Sequence, residues 1–300
     1  MNRGRSNLLR TRDCIGVLTA VSLAACIATP ERPASSSGQS GIAKPARDLP
    51  IPSEMRKQVR NSEIIGRQIY ILDKVSAIAT DVLREKVPSF HEKNLAGYLP
   101  FQEAGDDLRP KASYLVTFFT KEDPMRIAYE IRVTPDAAPE FAAFDPPKPA
   151  LRSFVRMAKA RQAAIAALPS HPQPINPLIL PAELLGEKGM MVYLIAGTTK
   201  PDIAVFGRHY RVLIPEEGGP PSYVMPLSKG ILELPTKPSK GGTVEAMFVT
   251  HLVTDWPLET HVFVSLLTRK PVHVATKVGI WCVDGDKIRF VDDGPPGGKD

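Results

Sequence analysis

Two histidines bracket a short loop in the last third of the chain, in the run Thr250-His251-Leu252-Val253-Thr254-Asp255-Trp256-Pro257-Leu258-Glu259-Thr260-His261. With carboxylates at Asp255 and Glu259 between them, they carry the residue types for two kinds of chemistry. Two imidazoles and a carboxylate hold zinc and leave a position open for water. The same groups can serve as base and acid in a hydrolase. The spacing matches no established ligand pattern, and nothing besides Asp255 or Glu259 offers a third ligand. The expectation is therefore the plainer one: hydrogen-bonded strand histidines, His251 buried and neutral, with no catalytic role and no cofactor. Four of the six histidines lie in this last third: His209, His251, His261 and His273. The sequence has no Gly-rich phosphate loop, Cys-x-x-Cys, His-Glu-x-x-His or Gly-x-Ser-x-Gly.

A second residue with chemistry of its own is Cys26. It follows Leu23-Ala24-Ala25 at the end of an uncharged apolar run, 15–25, behind Arg3, Arg5, Arg10 and Arg12. About eleven apolar or small residues are too few to cross a bilayer, which takes roughly 20. They suit the apolar core of a secretory signal. Leu23 and the small residues before the cysteine resemble the lipobox of bacterial lipoprotein precursors. That resemblance implies a diacylglyceryl thioether on Cys26, cleavage before it and acylation of the new amine. Acyl chains hold a protein at the membrane with about 0.8 kcal/mol per buried methylene. Ile27, a residue other than Asp after the cysteine, implies the outer membrane, with the body facing the periplasm.

Four arginines and one aspartate in the first 13 residues account for +3 of the formal +6, so the remainder carries about +3. So mild an excess implies no nucleic-acid partner. Cys14 leaves with the signal and Cys26 becomes a thioether. Only Cys282 remains in the body, expected as a small buried hydrophobe outside any disulfide framework. Thirty prolines in 300 residues are about twice the usual ~5% and point to many fixed turns.

The elements that must position these groups follow from periodicity. Residues 26–57 hold the lipidated cysteine and a stalk rich in Pro, Ser and Gly, with a reach of roughly 25–30 Å. Apolar residues at spacings of three and four predict a helix over 64–87, stopped by Pro88. Turn-rich sequence follows, then strands at 112–120 and 126–133 and a proline-rich passage at 135–149. A second helix spans 150–168, and strands at 189–199 and 203–213 follow it. The rest reads as strand: 223–227, 230–234, 244–253, 260–267, 272–277, 279–283 and 287–291. Asp284-Gly285 is a hairpin turn. In the 260–267 strand, Val262, Val264 and Leu266 share one face and His261 the other. Residues 294–300 form a disordered tail.

The two helix-plus-strands stretches repeat each other. At an offset of 79, Tyr114-Leu115-Val116 answers Tyr193-Leu194-Ile195, Thr120-Lys121 answers Thr199-Lys200, Asp123 answers Asp202, and Arg132-Val133 answers Arg211-Val212. Leu99-Pro100 answers Leu180-Pro181 at a nearby offset. The expected organisation is α+β. A signal at 1–25 and the stalk precede a helix-plus-antiparallel-hairpin unit at 58–149 and its duplicate at 150–217. An antiparallel β extension at 218–293 and the tail complete the chain.

From Thr250 through Pro257-x-Glu259-Thr260-His261-Val262-Phe263 to Trp281, the last two-fifths also resembles a family of uncharacterised exported proteins of proteobacteria, and this implies no activity. The expected function is a membrane-anchored lipoprotein with a non-enzymatic binding or envelope-interaction role. Its partners would be the membrane, through acyl chains on Cys26, and an envelope protein. A metal-dependent or hydrolytic enzyme on His251, His261, Asp255 and Glu259 is the alternative. An inhibitor-like or sensor module is a third reading, on architecture alone.

Overall fold

A computed structural model describes residues 48–90, 94–103, 112–169, 174–198, 200–238 and 241–292. Cys26, most of the stalk, Thr199 and the 294–300 tail lie outside them. The fold is mixed α+β. Helix α1, Arg56–Lys86, is its spine. It buries Val59, Ile65, Ile69, Leu72, Val75, Ala79 and Leu83, a three-and-four stripe that faces protein along its whole length. The helix ends where the Val87 N–H bonds the Leu83 carbonyl, one residue before Pro88.

Four antiparallel strands follow, β1 (Leu95–Gln102), β2 (Tyr114–Thr120), β3 (Arg126–Val133) and β4 (Glu140–Pro149), side by side in chain order. One face puts Tyr98, Val116, Phe118 and Ile131 against the second half of α1. The other puts Leu99 and Phe119 against Phe154 of α2 (Arg152–Ala166), with the Phe119 and Phe154 rings edge to face at 5.5 Å. A second sheet runs β5 (Ile175–Pro181), β6 (Met190–Ala196), β8 (Tyr210–Ile214), β9 (Tyr223–Pro226). Between β6 and β8 the chain makes β7 (Ile203–Gly207), which pairs instead with β10 (Ile231–Pro235). The expected 189–199/203–213 hairpin is thus corrected: β6 pairs with β8, and β7 leaves the sheet.

The offset of 79 shows where the second unit departs from the first. Ala128, at the irregularity in β3, corresponds to Gly207, where β7 gives way to β8. Gly207 at φ 109 and Arg208 at φ 53 both lie in the left-handed half of backbone space and break the strand. Tyr114 and Tyr193 both pack into the large core beside α1. The preceding helices differ: α1 lies on the Tyr114 face of its sheet, whereas α2 covers Val192 and Leu194, the face opposite Tyr193.

The C-terminal sheet is β11 (Met247–Thr250), β12 (Val272–Thr276), β13 (Gly279–Asp284) and β14 (Lys287–Asp292). Strands β12 to β14 are antiparallel, whereas β11 joins β12 in parallel. The parallel pair needs a crossover, and α3 (Glu259–Thr268) supplies it. The expected strand at 260–267 is therefore a helix. Every residue from Glu259 to Ser265 is buried, so the helix shows no one-sided apolar stripe. Cys282 is a free, buried thiol on β13.

Helix α3 lies directly on α1. A Cβ on Gly66 would sit 2.5 Å from Val262 Cβ and 2.6 Å from the Glu259 carbonyl oxygen. Ala favours an isolated helix over Gly by about 1 kcal/mol, but here the steric term is larger. Gly66→Ala is expected to destabilise the protein by about 1–3 kcal/mol, the range for overpacked cores. An unchanged urea midpoint would show that the two helices separate freely at this crossing.

A buried polar chain ties α1 to both sheets. Tyr98 Oη donates to Asn176 Oδ1 at 2.6 Å, and Asn176 Nδ2 donates to Asp73. Burial pushes the Asp73 carboxyl up to about 6, against the opposing pull of the Asn176 hydrogen bond.

Candidate functional site

The break at Gly207-Arg208 delivers His209 to the interior. Its Nδ1 accepts the Ala196 N–H at 3.0 Å, which leaves Nε2 as the protonated nitrogen, 3.3 Å from the Val205 carbonyl. Both ring nitrogens are thus engaged, and the imidazole pins β6 to the departing β7. Burial holds it neutral, with its pKa lowered to about 4.

His251 stands one residue past β11, where its backbone N–H bonds the Ala275 carbonyl and continues the β11–β12 ladder. Its Nε2 meets Thr254 Oγ1 at 2.9 Å. Burial lowers its pKa to about 4, although the Glu259 charge pulls the other way. His261 is the third residue of α3. Its Nδ1 reaches back to accept the Leu258 N–H at 3.0 Å, as a Glu or Gln at that position does in a capping box. Burial, then the neighbouring His251, lowers its pKa well below the ordinary value. The His251 and His261 rings meet edge to face, centroids 4.8 Å apart. The two histidines singled out in the sequence do come together, across a strand-to-helix connection and not across a hairpin.

The carboxylates do not join them. Glu259, only 1% exposed, is held by Arg211, whose Nε lies 3.2 Å from Oε1 and whose Nη2 bonds the same oxygen. The Arg211 guanidinium lies 5.8 Å over the Tyr193 ring. Burial first, then Glu259, pushes the Tyr193 hydroxyl well above the phenol range. Asp255 offers its backbone carbonyl to Thr276 Oγ1 and contacts neither imidazole. His273 sits on β12 across from Cys282. Among the described residues, no group of three or more His, Cys, Asp or Glu could hold a metal ion.

Two participants, His209 and Arg211, were not legible as such. Both fell inside what reads as one continuous strand, 203–213. The available signal was Gly207-Arg208, since a glycine inside a strand pattern marks a bulge or bend.

These elements enclose a cleft of about 240 Å³ between the β7–β10 arm, the end of β11 and the start of α3. His209, His251 and His261 form its floor, with apolar walls and Lys229 at the mouth. Its imidazoles are neutral at pH 7. A backbone N–H occupies His261 Nδ1, where a catalytic triad would place an acid, and among the described residues no carboxylate hydrogen-bonds any of the three rings. The arrangement suits holding a ligand by hydrogen bonds and apolar contact. No known family model matches the chain, and no match is found among curated proteins or among solved structures.

Proposed function

We propose that this protein is a lipid-anchored module of the bacterial envelope, tethered through Cys26 and facing the periplasm, that binds a ligand without transforming it. The Leu23-Ala24-Ala25-Cys26 motif behind a basic and then an apolar stretch supports the anchor. The observation that carries the binding role is the histidine-floored cleft. Its imidazoles are neutral, and the nearest carboxylate, Glu259, is committed to Arg211. A hydrolytic or metal-dependent reading needs that carboxylate beside the imidazoles.

Two measurements test this. Metabolic labelling with palmitate should mark the wild-type protein and leave Cys26→Ser unlabelled and unprocessed. Equal labelling of both would remove the anchor. Elemental analysis of protein purified without a histidine tag should find no stoichiometric metal. Zinc at one per chain, lost in His251→Ala and His261→Ala, would overturn the binding role in favour of a metalloenzyme.

A further inference from the structure

The cleft described above also indicates what it holds. Its volume of about 240 Å³ has room for about eight waters at roughly 30 Å³ each. That is below the roughly 300–1,000 Å³ of sites for drug-sized molecules. The walls are Phe206, Leu227, Ile231, Leu232, Val249 and Leu252. Ile231, Leu232 and Leu252 are 37%, 41% and 49% exposed, three of the seven large apolar side chains so exposed among the described residues. A ligand that covers them removes apolar surface from water, which is favourable.

The polar side chains that line the cleft are neutral or cationic. His261 is 6% exposed, and because its Nδ1 accepts the Leu258 N–H, its proton is on Nε2. That N–H has no hydrogen-bond acceptor among the described residues, and the residue lines the cleft. An acceptor entering the cleft can therefore take that hydrogen bond. Thr260 adds a hydroxyl beside it. Lys229, exposed and without an ion-pair partner among the described residues, stands at the mouth, and no Asp or Glu lines the walls. Donors inside, one cation at the rim and no anion together complement an anionic acceptor on an apolar body.

We propose that the cleft binds a monocarboxylate of about eight heavy atoms in all, its carboxylate carried on a compact, branched apolar body and supplied either as a free short-chain acid or as the apolar C-terminal residue of a peptide. This rests on the cleft being the binding site of the preceding section. The carboxylate accepts from His261 Nε2 and pairs with Lys229, and the alkyl group lies among Leu227, Leu232 and Val249.

Four probes separate the possibilities by calorimetric titration of the full lipidated protein: 4-methylpentanoate, its primary amide, N-acetyl-Ala-Leu with a free carboxylate, and the same peptide amidated. The expected result is saturable binding of the free acids, at least tenfold weaker for the amides. Lys229→Gln should weaken acid binding about fivefold, and Leu232→Asp should abolish it. Both substitutions are at exposed positions and leave the fold intact. His261→Phe should abolish acid binding too, with its folding checked by circular dichroism. Tighter binding of the peptide acid than of 4-methylpentanoate assigns the source to a peptide C-terminus, and the reverse assigns it to a free acid. Equal affinity for acids and amides overturns the carboxylate inference while the binding role stands. Absence of saturable binding by all four probes also overturns it, and stoichiometric zinc would instead overturn the reading on which it rests.

Discussion

Acidified from about pH 7.5 to about 4.5, the protein is expected to lose a large part of its stability, with most of the loss below about pH 6.5. His209 and His251 titrate near 6.5 when unfolded, but burial lowers them to about 4 in the native state. Below pH 6.5 the unfolded chain binds protons that the folded chain refuses. Their stabilisation is therefore complete above the unfolded value and is lost as pH falls toward the folded one. A shift of that size is about 3 kcal/mol for each imidazole. His261, also held well below its ordinary value by burial, adds in the same direction. Asp73 works against them. Burial raises its carboxyl to about 6, so its contribution is full below its ordinary value and lost as pH rises through 6. Acidification restores about 3 kcal/mol there, which leaves a net loss of about 3 kcal/mol before His261 is counted. Urea midpoints at stepped pH measure the sum. The His251→Phe variant should show a shallower acid limb and Asp73→Asn a steeper one. A midpoint level from about pH 7 to 4.5 would falsify the neutral burial of these imidazoles.

Arg211→Met is expected to destabilise the protein by about 3–5 kcal/mol, the cost of stranding one member of a buried ion pair. Glu259 is the first residue of α3 and is 1% exposed, so it has no route to water once Arg211 is gone. Glu259→Leu should cost a similar amount, because it leaves the guanidinium, 11% exposed, against Tyr193. The double variant should be far less destabilised than the two losses added, because an apolar pair of similar volume replaces a buried ion pair at little net cost. A double-mutant cycle from urea unfolding provides the test. Losses that simply add would show that Arg211 and Glu259 act independently and that the pair does not anchor the start of α3.

The elements legible in the sequence and those missed differ by physical cause. The α1 stripe was legible because the helix is buried along one side. The central strands β2, β3 and β6 were legible because they are long and free of proline. The strands not foreseen, β1, β4 and β5, contain Pro100, Pro146, Pro147, Pro149, Pro177 and Pro181. Each lies at the edge of its sheet, where a missing N–H costs no ladder bond and proline is tolerated. Local sequence marked them as turns, and only the position in the sheet makes them strands. Helix α3 was misread for the opposite reason. Thr260-His-Val-Phe-Val-Ser-Leu is rich in β-branched and aromatic residues that favour strands. A helix buried on all sides also loses the 3.6-residue signature. The same misreading changed the site: His251 and His261 meet, but Glu259 turns toward Arg211 because a helix places it on a different face from His261.

The meeting of α1 with α3 and β14 sets the order in which this chain can acquire its structure. Glu63 accepts the Ile288 N–H across 225 residues of sequence, and Arg67 pairs with Asp286 across 219. Contacts this distant make for slow closure, since a long loop must be ordered before they form. A ribosome adding roughly 5–20 residues per second needs about 10–40 s to proceed from the end of α1 to β14. Throughout that interval the first half of the α1 stripe lacks α3 and the C-terminal sheet, and the large core they share stays incomplete. That core therefore closes only once β14 has emerged. A nascent chain in this state remains threadable, with the part of the Ile65, Ile69 and Leu72 surface that α3 covers still exposed.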